Sequence, residues 1–569
     1  MLEIFFVWVV AAITLVGIGS LLLSRFTKDF FPTDAFWMGL AVSVAVLEIW
    51  NLVLPITAFS TIFLSCIGIL GLVSNRALLL SVLNTYLQTS RWWILLWIAV
   101  VMLIALRASG PCDYYDTGLY GAAAVRWIQT YPTTPGLANL CGRLGFNSSV
   151  FQCIAALGQG MGKSLGFHLF TGFLLSAIWG TLLPACARIV RSMPTSPADW
   201  FYAILALPTL FWSLRSRIVG TQTDEPATIV CLIATGILFE HLCQEDRRNE
   251  GKTYTSRLVL ATTLFSLAVA FKLSTIVFAL LAWTLAFRKI WLLARFARQS
   301  TNSIFASLAL SILILLPWFA RGIILSGYPF YPATFFALPV SWKIPLSAAR
   351  WYAIGVQSWG RTPDVPFRDT QGFHWLRDWL SLALRNRASF QVPLAISLAG
   401  LALIVRFRRK PHPACPWFSL LFPSIVGIIF WFVASPDLRF AQFAIWTIAS
   451  TLGACGIVLL DLHTHRSRTK LVLATLVLSS IWCMTSFGWK EPFLSLRGIR
   501  QPPPLPKPAL IIKHTLSDLT VYVPAHGDQC WDAPLPCTPY FDESLRVRNS
   551  SSLRWGFTSE GRAAEFRTF

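Results

Sequence analysis

The chain is 569 residues long, 55% hydrophobic and only 13% charged, with a mean hydropathy of +0.60. A soluble globular domain carries about 25% charged residues, so this composition excludes one and specifies a polytopic, all-α membrane protein. The net charge of +21 reads as basic cytoplasmic loops rather than a nucleic-acid surface, because membrane proteins concentrate Lys and Arg on the cytoplasmic side.

Apolar stretches able to cross a ~30 Å hydrocarbon core recur at 4–23, 35–54, 56–74, 92–108, 165–187, 198–214, 226–243, 256–271, 273–288, 303–320, 389–405, 416–434, 441–460 and 470–487. That makes about fourteen transmembrane helices. Glu3 leaves the first stretch without a basic n-region, so it reads as a retained helix and not a signal peptide. Residues 77–89 read as a helix lying at the interface, and 146–160 as a re-entrant segment. The twelve cysteines show no metal-ligand spacing, and most lie in apolar helices as small hydrophobes.

Charge fixes the orientation. With the N-terminus outside, the tight basic loops all fall on one side: Arg25 and Lys28, Arg76 and Arg91, Arg188 and Arg191, Arg247 and Arg248, "RFRRK" at 406–410 and "HTHRSRTK" at 463–470. That side is the cytoplasm. The extracytoplasmic side receives loop 109–164, the "LRSRIVGTQTDEP" turn, the Lys272 turn, segment 321–388, "SPDLRF" at 435–440 and the tail 488–569. Both termini are therefore expected outside. The chain divides into an N-terminal transmembrane extension (1–91), a helical core (92–320), an outer segment (321–388), C-terminal transmembrane helices (389–487) and a tail (488–569). The tail opens with the linker "QPPPLPKPA" and continues through a strand at "LTVYVP" into a small extracytoplasmic domain. In an oxidising compartment Cys530 with Cys537, and Cys112 with Cys141, are candidate disulfide pairs.

Four constellations lie on the outer side. In "CDYYDTGLY" (112–120), Asp113 and Asp116 are three apart and share a face if the turn is helical. Such a pair serves as a general base plus a positioning group, or as ligands for a hard cation such as Mg or Mn; the alternative is a solvated acidic loop. Asp116 is the preferred base, although as the residue opening "DTGLY" it is equally a good N-cap. Tyr114, Tyr115 and Tyr120 surround the pair. The second constellation is Arg215, Arg217, Asp224 and Glu225, where arginine either binds phosphate or snorkels to headgroups. Third, Lys272 stands between apolar stretches and needs a partner, a phosphate or else Asp224 or Glu225. Fourth, Asp437 and Arg439 share a tight Pro-containing turn. Segment 321–388 adds Trp342, Trp351, Trp359 and His374 to shape a substrate site, and Glu48 is the principal acid within the spans.

With acid, cations and aromatics on one face of a helical bundle, the chain resembles the GT-C superfamily of membrane glycosyltransferases. The resemblance implies a seven-helix core from 92–108 through 303–320, with "DYYD" in its first outer loop. It implies Asp116 or Asp113 as the base that deprotonates the acceptor, and Arg217, Lys272, Arg439 and Arg215 as holders of the donor phosphate. The donor would be a polyprenyl-phosphate-linked sugar, the acceptor an envelope glycan or lipid, and the place the outer face of a bacterial inner membrane. A divalent cation is compatible with that chemistry and not required by it. More narrowly, "YYDTGLY…RWIQTYPTTPGLANLCGRLGFNSS", "ILSGYPFYP" with "SWKIP", and "SPDLRF" are similar to a largely uncharacterised family of bacterial polytopic membrane proteins. Two departures stand out: three spans precede the core, and Gly121 occupies a position where that family implies histidine. The competing classes are a transporter or flippase for lipid-linked sugars, and a non-catalytic scaffold of polysaccharide assembly that docks partners through its tail.

Overall fold

The structure, a computed structural model, describes residues 1–27, 30–162, 165–191, 193, 195–215, 218–243, 251–296, 301–363, 370, 372–407, 417–460 and 502–561, with scattered helical residues between 467 and 481. Its helices are α1 Leu2–Leu23, α2 Pro32–Val53, α3 Ala58–Ser74, α4 Arg76–Ala108, α5 Ala122–Thr130, α6 Val150–Leu157, α7 Gly166–Val190, α8 Pro197–Leu214, α9 Asp224–Cys243, α10 Gly251–Phe271, α11 Ile276–Phe296, α12 Thr301–Ser326, α13 Leu346–Arg361, α14 Leu376–Arg385, α15 Val392–Arg406, α16 Trp417–Ala434 and α17 Gln442–Leu459. The tail holds two antiparallel strand pairs, β1 Leu510–His514 with β2 Thr520–Pro524, and β3 Arg546–Val547 with β4 Phe557–Thr558.

Among the described residues, eight helical segments are long and apolar enough to cross a membrane, and four shorter apolar helices join them. This is a multi-pass membrane protein. The span expected at 198–214 is the helix α8, outside both of those groups, and most of 470–487 lies outside the described residues. Residues 77–89 do not form a separate interfacial helix. They continue without a break into the next span, because nothing between Arg76 and Ala108 is a proline or glycine that would stop a helix. The α-helix in segment 146–160 is the eight-residue α6, buried at every residue but Leu157.

Local chemistry sets the helix ends. Pro32 and Pro197 sit at first helical positions, where a missing N–H costs nothing. Ser196 and Asp199 cap α8 reciprocally, and Asp199 also accepts from Arg188 at the end of α7. α1, α2 and α3 meet through glycine: a Cβ on Gly17 would stand 2.1 Å from the Gly68 carbonyl oxygen, and one on Gly39 would stand 1.9 Å from that of Leu15. Small residues of this kind let helix backbones touch in lipid. α2 packs in turn against α10 and α12. α4 and α10 finish, and α9 and α17 begin, at one end of the bundle, where loop 109–149 and the tail also lie.

Candidate functional site

Loop 109–121 leaves α4 extended, turns helical at Tyr115 and passes through a π-helical turn, Thr117–Gly121, into α5. Asp113 therefore shares no helical turn with Asp116; it lies exposed in the extended stretch. The π-helical turn is pinned to the start of α9. Thr117 Oγ1 accepts from the Thr221 N–H at 3.0 Å, and the two hydroxyls lie 3.1 Å apart. Gly220 makes the approach possible with φ at +128°, a conformation glycine alone adopts without strain. Four residues after Gly220, Asp224 opens α9.

Asp116 does not cap the turn. Its Oδ2 accepts a 3.1 Å hydrogen bond from the Tyr114 hydroxyl, which itself accepts from Arg439 Nη1 at 3.2 Å. Arg439 Nη1 stands 3.7 Å from the same Asp116 oxygen. Arg439 Nε also lies 2.8 Å from Asp437 Oδ2, as an ion-pair contact and not an aligned hydrogen bond, and 4.0 Å from Asp224 Oδ2. Lys272 pairs with Asp224 Oδ1 and lies 4.0 Å from the centroid of the Phe440 ring. The "SPDLRF" turn is braced from outside: Trp431 and Trp379 indoles donate to the Asp437 and Pro436 carbonyls at 2.7 Å each.

Burial first, and then the Asp116 charge, push the Tyr114 phenol well above its ordinary range, so it remains a donor at neutral pH. Asp116 keeps 28% of its side chain exposed, and among the described residues its Oδ1 accepts no hydrogen bond. Among the described residues, Arg439 and Lys272 face three carboxylates, Asp116, Asp224 and Asp437. Both cations are therefore already partnered. Asp113 and Asp116, the pair expected for Mg or Mn, lie on different stretches of the loop, the first exposed and the second engaged through Oδ2 by Tyr114 and Arg439. Among the described residues no three acidic, His or Cys side chains converge for a metal.

A family model described as a domain of unknown function, DUF8201, matches residues 1–446. The chain belongs to the DUF8201 family. No curated protein matches it. Among solved structures, the apo oligosaccharyltransferase of Archaeoglobus fulgidus is similar at 13% identity and a TM-score of 0.35, over 70% of this chain and 55% of the other. The DUF8201 chain thus spans about half the length of that enzyme.

The remaining expected site residues of the DUF8201 chain are dispersed. Tyr120 packs edge-on against Phe146 and Phe151 beneath the cluster. Glu225 lies within electrostatic reach of Asp224, Arg215 and Lys272. The Arg215 guanidinium lies over the Phe211 ring, 4.9 Å from its centroid, and Arg217 lies outside the described residues. Tyr115 turns to the tail, where its hydroxyl donates to Asp528 at 2.6 Å. Trp342 donates to the Ile323 carbonyl and lies beneath Arg548 of the tail. His374 is exposed. Cys530 and Cys537 form a disulfide with Cα atoms 6.2 Å apart, whereas Cys112 and Cys141 are both buried thiols. Gly121 has a steric reason: a Cβ there would meet Thr221 Oγ1 at 1.9 Å, so the Thr117–Thr221 link and a histidine at this position exclude each other.

A second charged cluster escaped the sequence reading. Glu48 on α2 is fully buried, and its Oε1 accepts from the Ser149 hydroxyl at 2.6 Å. Arg321, near the end of α12, is only 3% exposed and donates to Asn147 Oδ1 at 2.5 Å. "GFNSS" (145–149) is the plug between them: Asn147 also exchanges hydrogen bonds with Trp318, and Ser148 and Ser149 donate to the Phe271 and Ala270 carbonyls. The available signals were an arginine inside the apolar run "PWFARGIIL" and the polar motif itself.

Proposed function

We propose that this protein is a membrane glycosyltransferase that moves a sugar from a polyprenyl-phosphate carrier to an envelope glycan or lipid, with Asp116 as the base. One observation carries the reading: a half-buried carboxylate with one oxygen held by Tyr114 and the other open, beside Arg439 and Lys272 at the converging ends of four elements. The acceptor hydroxyl gives its proton to Asp116 Oδ1 as its oxygen bonds to the anomeric carbon. The bond from that carbon to the carrier phosphate breaks, and the phosphate leaves with the electron pair. A base placed within hydrogen-bond reach contributes about 10²–10⁴-fold. Arg439 and Lys272 trade a carboxylate contact for the phosphate as charge develops on it, the electrostatic term that usually dominates such transfers. The donor thus enters by exchange of ion-pair partners.

A second reading, transport of the lipid-linked sugar, draws on Glu48 and Arg321, ionisable groups buried within spans, which commonly mark translocation paths. Both lie sealed behind the "GFNSS" plug, which favours a structural role over a path. The deciding experiment replaces Asp116 and Asp113 separately with Asn in cells. Loss of one glycan modification with build-up of its lipid carrier in Asp116→Asn, and normal glycans in Asp113→Asn, is the expected result. Unchanged glycans in normally inserted Asp116→Asn remove the transferase reading.

A further inference from the structure

The tail lies beyond the 1–446 family match, yet it grips the one segment that carries Asp116. The Trp531 N–H donates to the Gly118 carbonyl at 3.0 Å, two residues after Asp116. The Trp531 ring lies flat on that glycine: a Cβ at Gly118 would meet its Cε2 at 2.4 Å. On the other side of Asp116, Asp528 accepts from the Tyr115 hydroxyl at 2.6 Å, and the Gln529 amide donates to the Tyr115 carbonyl at 2.9 Å. Further along, Arg126 of α5 pairs with Asp532 and donates to the Ala533 carbonyl. These tail residues fall within 528–533, and the Cys530–Cys537 disulfide closes the loop that presents them. Trp531 itself sits at φ +39°, a left-handed conformation that a bulky residue holds only where its surroundings over-determine it. The segment it holds is a π-helical turn, a rare geometry that recurs at functional sites.

We propose that the disulfide-closed loop 530–537, with Asp528 and Gln529 before it, is a positioning element of the site: Trp531, Asp528 and Asp532 fix the helical segment that aims Asp116. The consequence for activity rests on Asp116 being the base; the consequence for the segment's order does not. Without the clamp the π-helical turn loses its tail partners on both sides of Asp116. The carboxylate then keeps Tyr114 and Arg439 as partners but loses its fixed direction. Misplacement on the scale of 1 Å costs about a hundredfold in a positioned reaction.

The test uses the full chain in lipid nanodiscs and two readouts. Hydrogen exchange of the amides of 115–126 is compared among the oxidised protein, the protein treated with dithiothreitol, Cys530→Ser/Cys537→Ser, Trp531→Ala and Trp531→Phe. Expected is exchange faster by about tenfold or more in this segment on reduction, in the double serine variant and in Trp531→Ala. α9 and α10 should stay unchanged, and Trp531→Phe should recover most of the protection. In parallel, turnover of a polyprenyl-phosphate sugar should lose kcat with KM for the donor held. Unaltered exchange in reduced wild type and in the double serine variant overturns the proposal, as does faster exchange with kcat intact. If the wild type transfers no sugar while the exchange effect appears, the positioning of the segment stands and the transferase reading falls. Reduction of the wild type supplies the answer even if a substituted chain does not fold.

Discussion

Asp116 and Glu48 are both carboxylates that face an arginine, yet Asp116 keeps 28% of its side chain exposed and Glu48 none. Asp116 is reached through loops, and the arginine beside it is shared with Asp437 and Asp224. Glu48 and Arg321 stand on packed helices, each held by a residue of one rigid plug, Ser149 for the first and Asn147 for the second. The first arrangement leaves a carboxylate oxygen open and its cations exchangeable, which suits chemistry. The second ties Glu48 Oε1 and the Arg321 guanidinium to one plug, which suits specification of a single packing between α2, α6 and α12. Each carboxylate has one oxygen without a hydrogen bond, so what separates them is access: that of Asp116 is partly exposed and that of Glu48 is sealed.

The contrast can be broken most forcefully at the plug. Glu48→Gln removes the negative charge nearest Arg321 and the charged acceptor of the Ser149 hydroxyl, and leaving a buried charged group uncompensated costs about 3 kcal/mol or more. Thermal unfolding in detergent should show the loss, and Glu48→Gln/Arg321→Met should recover much of it. Equal Tm values for single and double variants would dissolve the distinction. A smaller effect is expected where the two regions touch the loop backbone. Gly121→Ala pushes a methyl into Thr221 and should cost about 1–3 kcal/mol. Adding Thr221→Gly should relieve it in the same melt.

At Asp116 the order of effects reverses. Asp116→Asn should change stability by less than about 1 kcal/mol, because a part-exposed pair is worth little, while turnover falls by the 10²–10⁴-fold expected of a lost base. Differential scanning and a turnover assay on one preparation separate the two. The smallest effect concerns Cys112, whose thiol burial pushes up to about 11. A raised acid favours the native state fully below the unfolded thiol value, and that contribution fades as pH rises from about 9 towards 11. Alkylation of native protein at pH 8 should therefore be slow at Cys112, with only about 10⁻³ of it as thiolate. Labelling as fast as an exposed thiol would show the loop open.

The spans were legible because twenty apolar residues in lipid admit few other outcomes, and "SPDLRF" announced its turn through Pro436 and Asp437. The partnership of Lys272 with Asp224 was legible too, since a lysine between apolar stretches needs a counter-charge. The Asp113–Asp116 face was not, because three-residue spacing means proximity only on a helix, and the helix starts at Tyr115. Trp342 and His374 were grouped with Asp116 by their loop alone, and sequence carries no distance between loops. Glu48 was visible but its partners were not: Ser149, Asn147 and Arg321 lie 101, 99 and 273 positions away, and only the packing of α2 against α12 joins them.

The glycine contacts of α1 with α2 and α3 bear on how the chain is built. At Gly17 and Gly39 backbone lies directly on backbone, with no room for a methyl group between them. Close approach of this kind is what holds helices together in lipid. Synthesis releases the N-terminal helices first, so the opening three close on one another while the residues that carry Asp116 are still in the ribosome. The end of the bundle that carries Asp116 is then laid against a foundation already set.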